Sequence, residues 1–403
     1  MYDVIVVGAR CAGASSALLL ARRGYKVLLL DRATFPSDTI SGHLILHPGV
    51  QKLAEWGLID RILQAGTPAI NHWAMDLGDF RLASPVETAS GLPATLGPRR
   101  TVLDHILVQA AVEAGAELYE GFNVNELLYE GDQVVGVRGQ SKQGTSSELK
   151  AKLVIGADGK CSTIARLVQA EERHVLPILS CWYISYWRNF PSDGMEINWQ
   201  PGRVAFAFPT NDNLTSIAVS WPYKELHAFR SDVEGNYEAT IAQMPSLRER
   251  LANAERAERI VAMADLPNFF RQAYGKGWAL VGDASHHKDP VIARGMSDAF
   301  IDAELLVNAV DKGLSGSMPM QAALEQYAQQ RDERAIPDTQ ANLKEDDYQG
   351  WDTPTLMQLR QALRNNPVDT RHFFAVRARV LPPESFFTPE NLARIMNSTT
   401  VAS

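Results

Sequence analysis

A six-residue turn near the start of the chain has the residue types needed to bind a nucleotide diphosphate. It reads GARCAG over residues 8–13, between an apolar run, DVIVV, and a segment rich in alanine and leucine. Gly8 permits a tight turn, Gly13 permits close helix–strand packing, and the N–H groups at a helix N-terminus attract a diphosphate. Asp31, which ends the next apolar run, can accept a hydrogen bond from a ribose hydroxyl. The pattern predicts nucleotide binding, against the alternative of a βαβ unit that binds none.

Arg10 occupies the middle of this turn, where the usual pattern has a second glycine. Its guanidinium could fold back as an added cationic donor to the diphosphate. It could equally point to solvent or bond a neighbouring loop, as long charged side chains often do. The sequence leaves these two alternatives open.

Two further glycine–aspartate motifs follow predicted buried strands. GADGKCS covers residues 156–162, and GDASHHKDPVIARGMS covers residues 282–297. In either motif alone, the aspartate (Asp158 or Asp283) could simply cap a following helix. A fourth pattern, Arg100-x-x-Leu-Asp, opens a predicted helix.

The predicted elements place these motifs at strand ends. Strands at 3–7 and 26–31, with a helix over 12–23 between them, make one βαβ unit. Between 171 and 268, short alternating runs crowded with aromatic residues predict antiparallel strands of an inserted lobe. The other predicted elements are buried strands at 149–159 and 277–285 and helices at 48–65, 100–114 and 295–312.

Composition and charge argue against several classes of protein. The 403 residues are 45% hydrophobic and 21% charged, which is typical of a globular chain with two domains or one large domain with an insertion. A net charge of −8 without a basic block argues against a nucleic-acid partner. Three cysteines without a C-x-x-C pair argue against disulfides and a zinc site, so we expect no metal. Because we find no signal peptide and no apolar run long enough to span a membrane, we expect a cytoplasmic protein.

In combination, the motifs resemble those of the FAD-dependent monooxygenases of the aromatic-ring hydroxylase type. This flavoprotein group also includes isoprenoid reductases and flavin-dependent halogenases. Its members carry a glycine turn, a GADGxxS motif and a GDAAHxxxPxxxxGxN motif in this order. The resemblance covers most of residues 1–340, and its specificity comes from the joint order of the motifs. The departures are Arg10, Ser297 where Asn is frequent, and Val291–Arg294 where two glycines are usual, and they concern flavin positioning more than fold.

The resemblance implies an FAD site whose nucleotide end is built from the first motifs. Asp31 would hold the adenosine ribose, with Arg32 beside the adenine. Arg100 would reach the ribityl or diphosphate region. The turn residues expected at the diphosphate are Gly8, Arg10, Ala12 and Gly13.

The later motifs would surround the flavin end of the cofactor. Asp158 would fix loops around FAD, with a link to NAD(P)H use, and Asp283 would bond the ribityl chain. Pro290 would lie beside the flavin ring. A helix start would face the N1/O2 edge of the flavin, where its dipole stabilises negative charge. The residues at that helix start are Gly295, Met296 and Ser297.

The resemblance also implies the fold class and the division of the chain. We expect an α/β protein with a Rossmann-type FAD-binding domain, an inserted, mostly antiparallel β-sheet substrate lobe and a helical C-terminus. The FAD-binding domain would comprise 1–70, 96–170 and 275–340. The lobe would comprise 71–95 and 171–274, and the helical segment 341–403.

In this family NAD(P)H reduces the flavin, O₂ adds at C4a, and the hydroperoxide delivers one oxygen atom to the substrate. We therefore expect hydroxylation of a small aromatic or apolar metabolite in a pocket that excludes water. His43 could approach the flavin or deprotonate a phenol as a catalytic residue, although loop histidines are more often solvated. The candidate pocket residues, most of which could equally be plain sheet core, are Trp182, Tyr186, Trp199, Phe206, Phe208 and Trp221.

Three alternatives stay open at this point. A flavin-dependent reductase of the isoprenoid-reducing kind shares the glycine turn and the GD motif. A halogenase is disfavoured because its W-x-W-x-I-P signature is missing; Trp182 and Trp187 have a different spacing. A non-catalytic flavoprotein could use the charged stretch Lys344–Asp352 to bind a partner, although charged helix faces are usually just solvated.

Overall fold

The computed structural model describes residues 1–346 and 353–398, with side chains described to 340 and again from 353 to 397. The helices are α1 Cys11–Arg22, α2 His47–Glu55, α3 Ile59–Gln64, α4 Arg100–Glu113, α5 Thr163–Leu167, α6 Leu226–Ser231, α7 Val233–Ala242, α8 Pro245–Leu251, α9 Gly295–Leu314, α10 Met320–Asp346, α11 Pro354–Leu363, α12 Pro367–Arg377 and α13 Pro389–Ser398.

The strands alternate with these helices in the first part of the chain and cluster in the middle. They are β1 Tyr2–Val7, β2 Val27–Asp31, β3 Ala69–Ile70, β4 His72–Asp76, β5 Arg81–Pro85, β6 Thr95–Leu96, β7 Glu117–Glu120, β8 Phe122–Glu130, β9 Gln133–Ser141, β10 Ser146–Gly156, β11 Glu172–Leu176, β12 Ser180–Arg188, β13 Met195–Gln200, β14 Arg203–Pro209, β15 Thr215–Pro222, β16 Glu255–Arg256, β17 Val261–Met263, β18 Asn268–Arg271, β19 Tyr274–Gly275, β20 Trp278–Leu280 and β21 His286–His287.

A parallel sheet forms the centre of the first domain, with β20, β10, β1, β2 and β7 in that order. Its inner strands are runs of Val, Ile and Leu, and they are buried. Such continuous apolar runs are typical of parallel strands that are covered on both faces of the sheet. Helices α1, α4, α9 and α10 pack together on one face, and this layer contains the largest apolar cluster of the described residues. The predicted βαβ unit is present as β1, α1 and β2.

The second sheet has the order β16, β12, β15, β14, β13, β4 and β5. Its pairs are antiparallel except for β13 with β4, which run parallel. Strands β4 and β5 come from the segment 71–95, far in sequence from the other strands. Because side chains alternate along a strand, the sheet has two apolar faces: one packs on α6, α7 and α8, and the other, which we call the inner face, packs on α11, α12 and α13.

The helical C-terminal segment packs against the inner face. Leu363 and Phe374 join Trp182 and Phe208 in one buried cluster, and the His47 N–H donates to the carbonyl of Ala378 at 3.2 Å. The proposed partner-binding stretch Lys344–Asp352 and the tail after Asn397 lie outside the described side chains. Within the described ranges, no helix is both long and apolar enough to cross a membrane.

One predicted helix is wrong. The segment 48–65 forms two helices, α2 and α3, because Gly57 between them has φ of +72°, a left-handed conformation that ends α2.

Candidate active site

The three glycine motifs meet at the carboxyl ends of β1, β10 and β20, which are neighbours in the parallel sheet. Gly8 has φ of +102°, and a Cβ there would lie 2.4 Å from the carbonyl oxygen of Ala157 in the second motif. A Cβ on Gly282, in the third motif, would lie 2.7 Å from that of Ala12. The turn, the DG motif and the GD motif therefore form one contiguous surface, at the sheet edge where α/β folds bind ligands.

The first turn of α1 is open to an anion. No side chain caps α1, and its first turn contains no acidic residue. A Cβ on Gly13 would lie 1.7 Å from the Gly8 carbonyl oxygen, so only glycine allows the helix to start this close to the strand. An uncapped helix start leaves backbone N–H groups without intrahelical partners, which is the standard arrangement for binding phosphate.

Asp31 shapes this turn from the end of β2. Its carboxylate is 8% exposed and accepts hydrogen bonds from the backbone N–H groups of Ala9 and Ala33, both at 2.7 Å. Arg32 next to it is exposed. In this structure Asp31 therefore fixes the glycine turn, and its expected contact with the adenosine ribose stays a prediction.

The Arg10 side chain bonds a neighbouring loop and a buried carboxylate. Its guanidinium donates to the Ser37 hydroxyl at 3.1 Å and to the carbonyl oxygens of Ser37 and Asp38 at 3.4 and 3.0 Å. It also pairs with the buried carboxylate of Asp104, in α4, at 2.7 Å. Of the two alternatives left by the sequence, the structure contains the contact with a neighbouring loop.

Arg100 also contacts Asp104 and is buried. Its Nε lies 3.1 Å from Oδ1 and its Nη2 2.9 Å from Oδ2 of that carboxylate. The Cys11 thiol donates to Oδ1 at 3.5 Å, and burial raises the pKa of that thiol to about 12. Asp104 therefore joins the start of α4 to the start of α1, and it fixes the Arg100 side chain beside the glycine turn.

Asp158 in the DG motif caps α5. Its carboxylate accepts from the Ser162 hydroxyl at 2.5 Å and from the Thr163 and Ile164 N–H groups at 2.6 and 3.2 Å. Burial raises its pKa, and these hydrogen bonds act in the opposite direction. The capping role that the sequence left open is the contact seen here.

Asp283 and the start of α9 form the third wall. The Asp283 side chain is exposed, and Pro290 is partly exposed. No side chain caps α9, and a Cβ on Gly295 would meet no atom within 4 Å, so its first turn borders open space. Met296 and Ser297 are buried, and the Ser297 hydroxyl donates to the carbonyl of Leu46 at 3.4 Å.

A buried charge cluster that the sequence did not reveal supports the start of α9. Asp298 is paired with Lys288, Arg294 and Arg334. These cations hold its pKa well below the usual range although burial acts in the other direction. His286 lies 3.4 Å from Asp302 beside this cluster, and burial keeps its pKa well below the usual value.

His43 and Tyr186, predicted separately, form a buried hydrogen-bonded pair. His43 Nε2 lies 3.0 Å from the Tyr186 hydroxyl, and the two side chains come from the loop after β2 and from β12. His43 is 1% exposed, Tyr186 7%, and the Phe208 ring meets the imidazole edge-on at 5.2 Å. Burial lowers the pKa of His43 to about 3, with further repulsion from Arg99 and Arg100. Burial raises the pKa of Tyr186 to about 12. Both groups are therefore neutral at neutral pH.

Arg99 completes this centre and was missed by the sequence analysis. Its guanidinium lies 3.9 Å from the centroid of the Tyr186 ring. It pairs with Glu258 through Nη1 at 2.7 Å and Nη2 at 3.2 Å, and with Asp38 at 3.5 Å. The only signal was the Arg-Arg pair that precedes the R-x-x-L-D pattern, where Arg100 alone matched.

The candidate pocket aromatics divide between the two faces of the second sheet. The inner face carries Trp182, Trp199, Phe206 and Phe208, and Tyr186 is on the same face beside His43. Trp221 is on the opposite face, where its N–H donates to Thr240 at 2.9 Å and Arg203 covers its ring. The proposal of Trp221 as a pocket residue therefore has no support, since alternation along β15 points it away from His43.

Known proteins with similar sequences or structures include a reductase, an epoxidase and a halogenase. The chain is 28% identical over 333 residues to digeranylgeranylglycerophospholipid reductase 1 of Methanopyrus kandleri, covering 77% of this chain and 82% of that protein. It is 27% identical over 320 residues to squalene epoxidase erg1 of Schizosaccharomyces pombe, covering 75% and 68%. The solved structure of the myxobacterial chondrochloren halogenase CndH, 22% identical, superposes with a TM-score of 0.79, covering 99% of this chain and 97% of that one.

The chain spans 64% of the length of one curated relative that it matches and 82% of the length of the reductase from Methanopyrus kandleri. The superposition confirms the predicted α/β fold with its inserted sheet and helical C-terminus, and the relatives match the flavoprotein group that the motifs indicated. A family model, the FAD binding domain, matches residues 1–340. The chain therefore belongs to the FAD binding domain family of flavin-dependent oxidoreductases.

Proposed function

We propose that the protein is an FAD-dependent monooxygenase that uses NAD(P)H and O₂ to hydroxylate a small aromatic substrate. The observation that carries the proposal is the buried His43–Tyr186 pair, with 3.0 Å between Nε2 and Oη, on the aromatic inner face of the second sheet. A neutral hydrogen-bonding pair in an apolar, water-poor environment suits the binding and orientation of a phenol or a heteroaromatic ring.

The described residues fit FAD at its diphosphate end. The uncapped start of α1, with Gly8 and Gly13 packed so closely that no side chain fits, leaves backbone N–H groups to bind the diphosphate. Asp31 would lie at the ribose end, and Asp283 would lie at the ribityl chain. The uncapped start of α9 would face the flavin. When bound, FAD would supply the redox chemistry, including its reduction by NAD(P)H and the activation of O₂.

The chain's own contribution would be to bind, orient and exclude water. One proton lies between Nε2 and Oη, donated by Tyr186 or by His43 according to the tautomer of the imidazole, so the Tyr186 oxygen can accept from a substrate hydroxyl in one tautomer and donate to it in the other. Phe208 and Trp182, both 2% exposed, would keep bulk water from the reacting groups. In this role His43 acts as a neutral group, because burial holds its pKa near 3.

The test uses purified holoprotein, NADH or NADPH, and a panel of phenols and indoles under ¹⁸O₂. We expect a yellow protein whose substrate-dependent NAD(P)H oxidation stops without O₂ and whose product carries one ¹⁸O atom. His43→Phe should lower kcat/KM by about tenfold or more while FAD stays bound. A folded, colourless protein that binds no added FAD would overturn the proposal, as would product without ¹⁸O.

A flavin-dependent reductase is the second candidate, and the similarity to the Methanopyrus kandleri reductase favours it. The same assay under nitrogen distinguishes the two. A reductase saturates a polyprenyl double bond without O₂, whereas the proposed monooxygenase forms no product. Adding and omitting chloride and bromide in the aerobic assay would reveal halogenation instead.

A further inference from the structure

Arg99 is a buried cation that the proposed function leaves without a role. Its side chain is 10% exposed and lies directly before α4, with the guanidinium over the Tyr186 ring. A charged group this deep is retained only where a partner or a ligand repays its desolvation. Arg99 therefore has a stronger requirement for acceptors than a surface arginine.

The partners of Arg99 leave one of its donors unused. Glu258 and Asp38 accept from the two terminal nitrogens. The Nε atom is buried and makes no hydrogen bond with any described residue. An unpaired buried donor is costly, and its position beside Tyr186 indicates a ligand with its own polar atoms.

The two carboxylates on Arg99 can exchange for a ligand, because they lie at the solvent rim. The side chain of Glu258 is 39% exposed and that of Asp38 is 49% exposed, so both can turn to water when released. Arg99 cannot follow them. The planar guanidinium fork is suited to a bidentate carboxylate, as its contact with Glu258 already shows.

We propose that Arg99 binds a carboxylate of the substrate, so that the substrate is an aromatic acid whose ring lies at the His43–Tyr186 pair. The carboxylate would take the Nε–H and one terminal N–H in place of Glu258. This inference rests on the proposed function for the position of the ring. Arg99 is then the residue that selects acids over their neutral analogues.

The test compares matched acids and amides by calorimetric titration of the oxidised holoprotein, without turnover. The probes are salicylate against salicylamide, and indole-3-carboxylate against indole-3-carboxamide. The wild-type protein should bind the acids at least about tenfold more tightly than the amides. Arg99→Gln should remove that preference, and Arg61→Gln, which changes an exposed ion pair with Glu113, should retain it.

Glu258→Gln tests the exchange without altering Arg99. It removes the competing carboxylate and should tighten the binding of the acids several-fold, while amide binding stays within about twofold. The proposal is overturned if neither acid binds, if acid and amide bind equally, or if the preference survives Arg99→Gln. Loss of ¹⁸O incorporation with the acid preference intact would instead remove the monooxygenase proposal and leave the anion site.

Discussion

Burial determines which chemistry His43 can perform. Its imidazole is 1% exposed, and its pKa is lowered to about 3, first by burial and then by Arg99 and Arg100. Above pH 4 the ring is therefore neutral and acts through its hydrogen bond with Tyr186. A catalytic pH profile controlled by an ordinary histidine near pH 6.5 is not expected of this residue.

The buried imidazole should make the folded state sensitive to acid. Because the folded-state pKa lies below the unfolded value of about 6.5, the unfolded chain binds an extra proton between pH 6.5 and 3. Stability is thus present above pH 6.5 and is lost as pH falls. His43→Phe should reduce the loss between pH 7.5 and 5 by about 2 kcal/mol, measured by urea unfolding at each pH. The exposed His227→Phe is the control, and equal pH slopes for both variants would contradict the prediction.

The sequence identified the members of this centre only in part. His43 and Tyr186 are 143 residues apart, and each was a candidate for its own reason, so their hydrogen bond could not be predicted. Arg99 was missed because its partners Glu258 and Asp38 come from distant segments that only folding brings together. Trp221 was misplaced because the sequence shows that strand residues alternate but not which face is which.

Arg10 links three elements: the start of α1, the loop at Ser37 and Asp38, and Asp104 in α4. Its guanidinium makes four hydrogen bonds, and Asp104 is 0% exposed, so the loss of this partner leaves a buried carboxylate less well satisfied. The residue that interrupts the glycine pattern therefore acts as a connection between elements.

Arg10→Gln should destabilise the FAD-free protein by about 1–3 kcal/mol. Urea denaturation measures this change, and limited proteolysis should show faster cleavage near Ser37. The Arg61→Gln variant, in a more exposed ion pair, should change stability by less than about 1 kcal/mol. Equal stabilities of the two variants would mean that the Arg10 contacts contribute nothing at this level.

The elements themselves were largely predictable from apolar periodicity and glycine positions. The strands of the βαβ unit follow from short buried apolar runs, and the helices α4 and α9 follow from apolar residues at helical spacing. The division into α2 and α3 depends on the left-handed backbone of Gly57. The sequence does not show this, because a glycine within a helical pattern can adopt either a helical or a left-handed φ. The capping by Asp158 was one of two open roles because a helix as short as α5 has no periodicity of its own.

The whole molecule is held together by a cluster to which distant parts of the chain contribute. The inner face of the second sheet packs on Leu46 after β2, on Val291 in the GD motif, and on Phe374 in α12. The family match ends at residue 340, yet α11, α12 and α13 supply one wall of this cluster. These helices are therefore part of the architecture around the proposed substrate site.

Phe374→Ala should lower the free energy of unfolding by about 3–5 kcal/mol, since Phe374 is fully buried and its loss leaves a cavity. Its effect should extend to the inner face and increase the acrylamide quenching of tryptophan fluorescence, because Trp73, Trp182 and Trp199 belong to the same cluster. Phe387→Ala is the control, because Phe387 is 39% exposed and its loss should cost about 1 kcal/mol or less. A loss of less than about 1 kcal/mol for Phe374→Ala, no larger than that of the control, would show that the C-terminal helices do not support the sheet.

The late position of these helices in the chain has a consequence during synthesis. A ribosome-bound chain can complete both sheets before α11, α12 and α13 emerge, so the aromatic inner face stays uncovered until these three helices are translated. For that interval the nascent protein presents a large apolar surface of the kind that chaperones bind. A stop codon near position 346 would remove α11, α12 and α13 and leave the inner face permanently exposed. The truncated product should therefore aggregate rather than fold into an inactive enzyme.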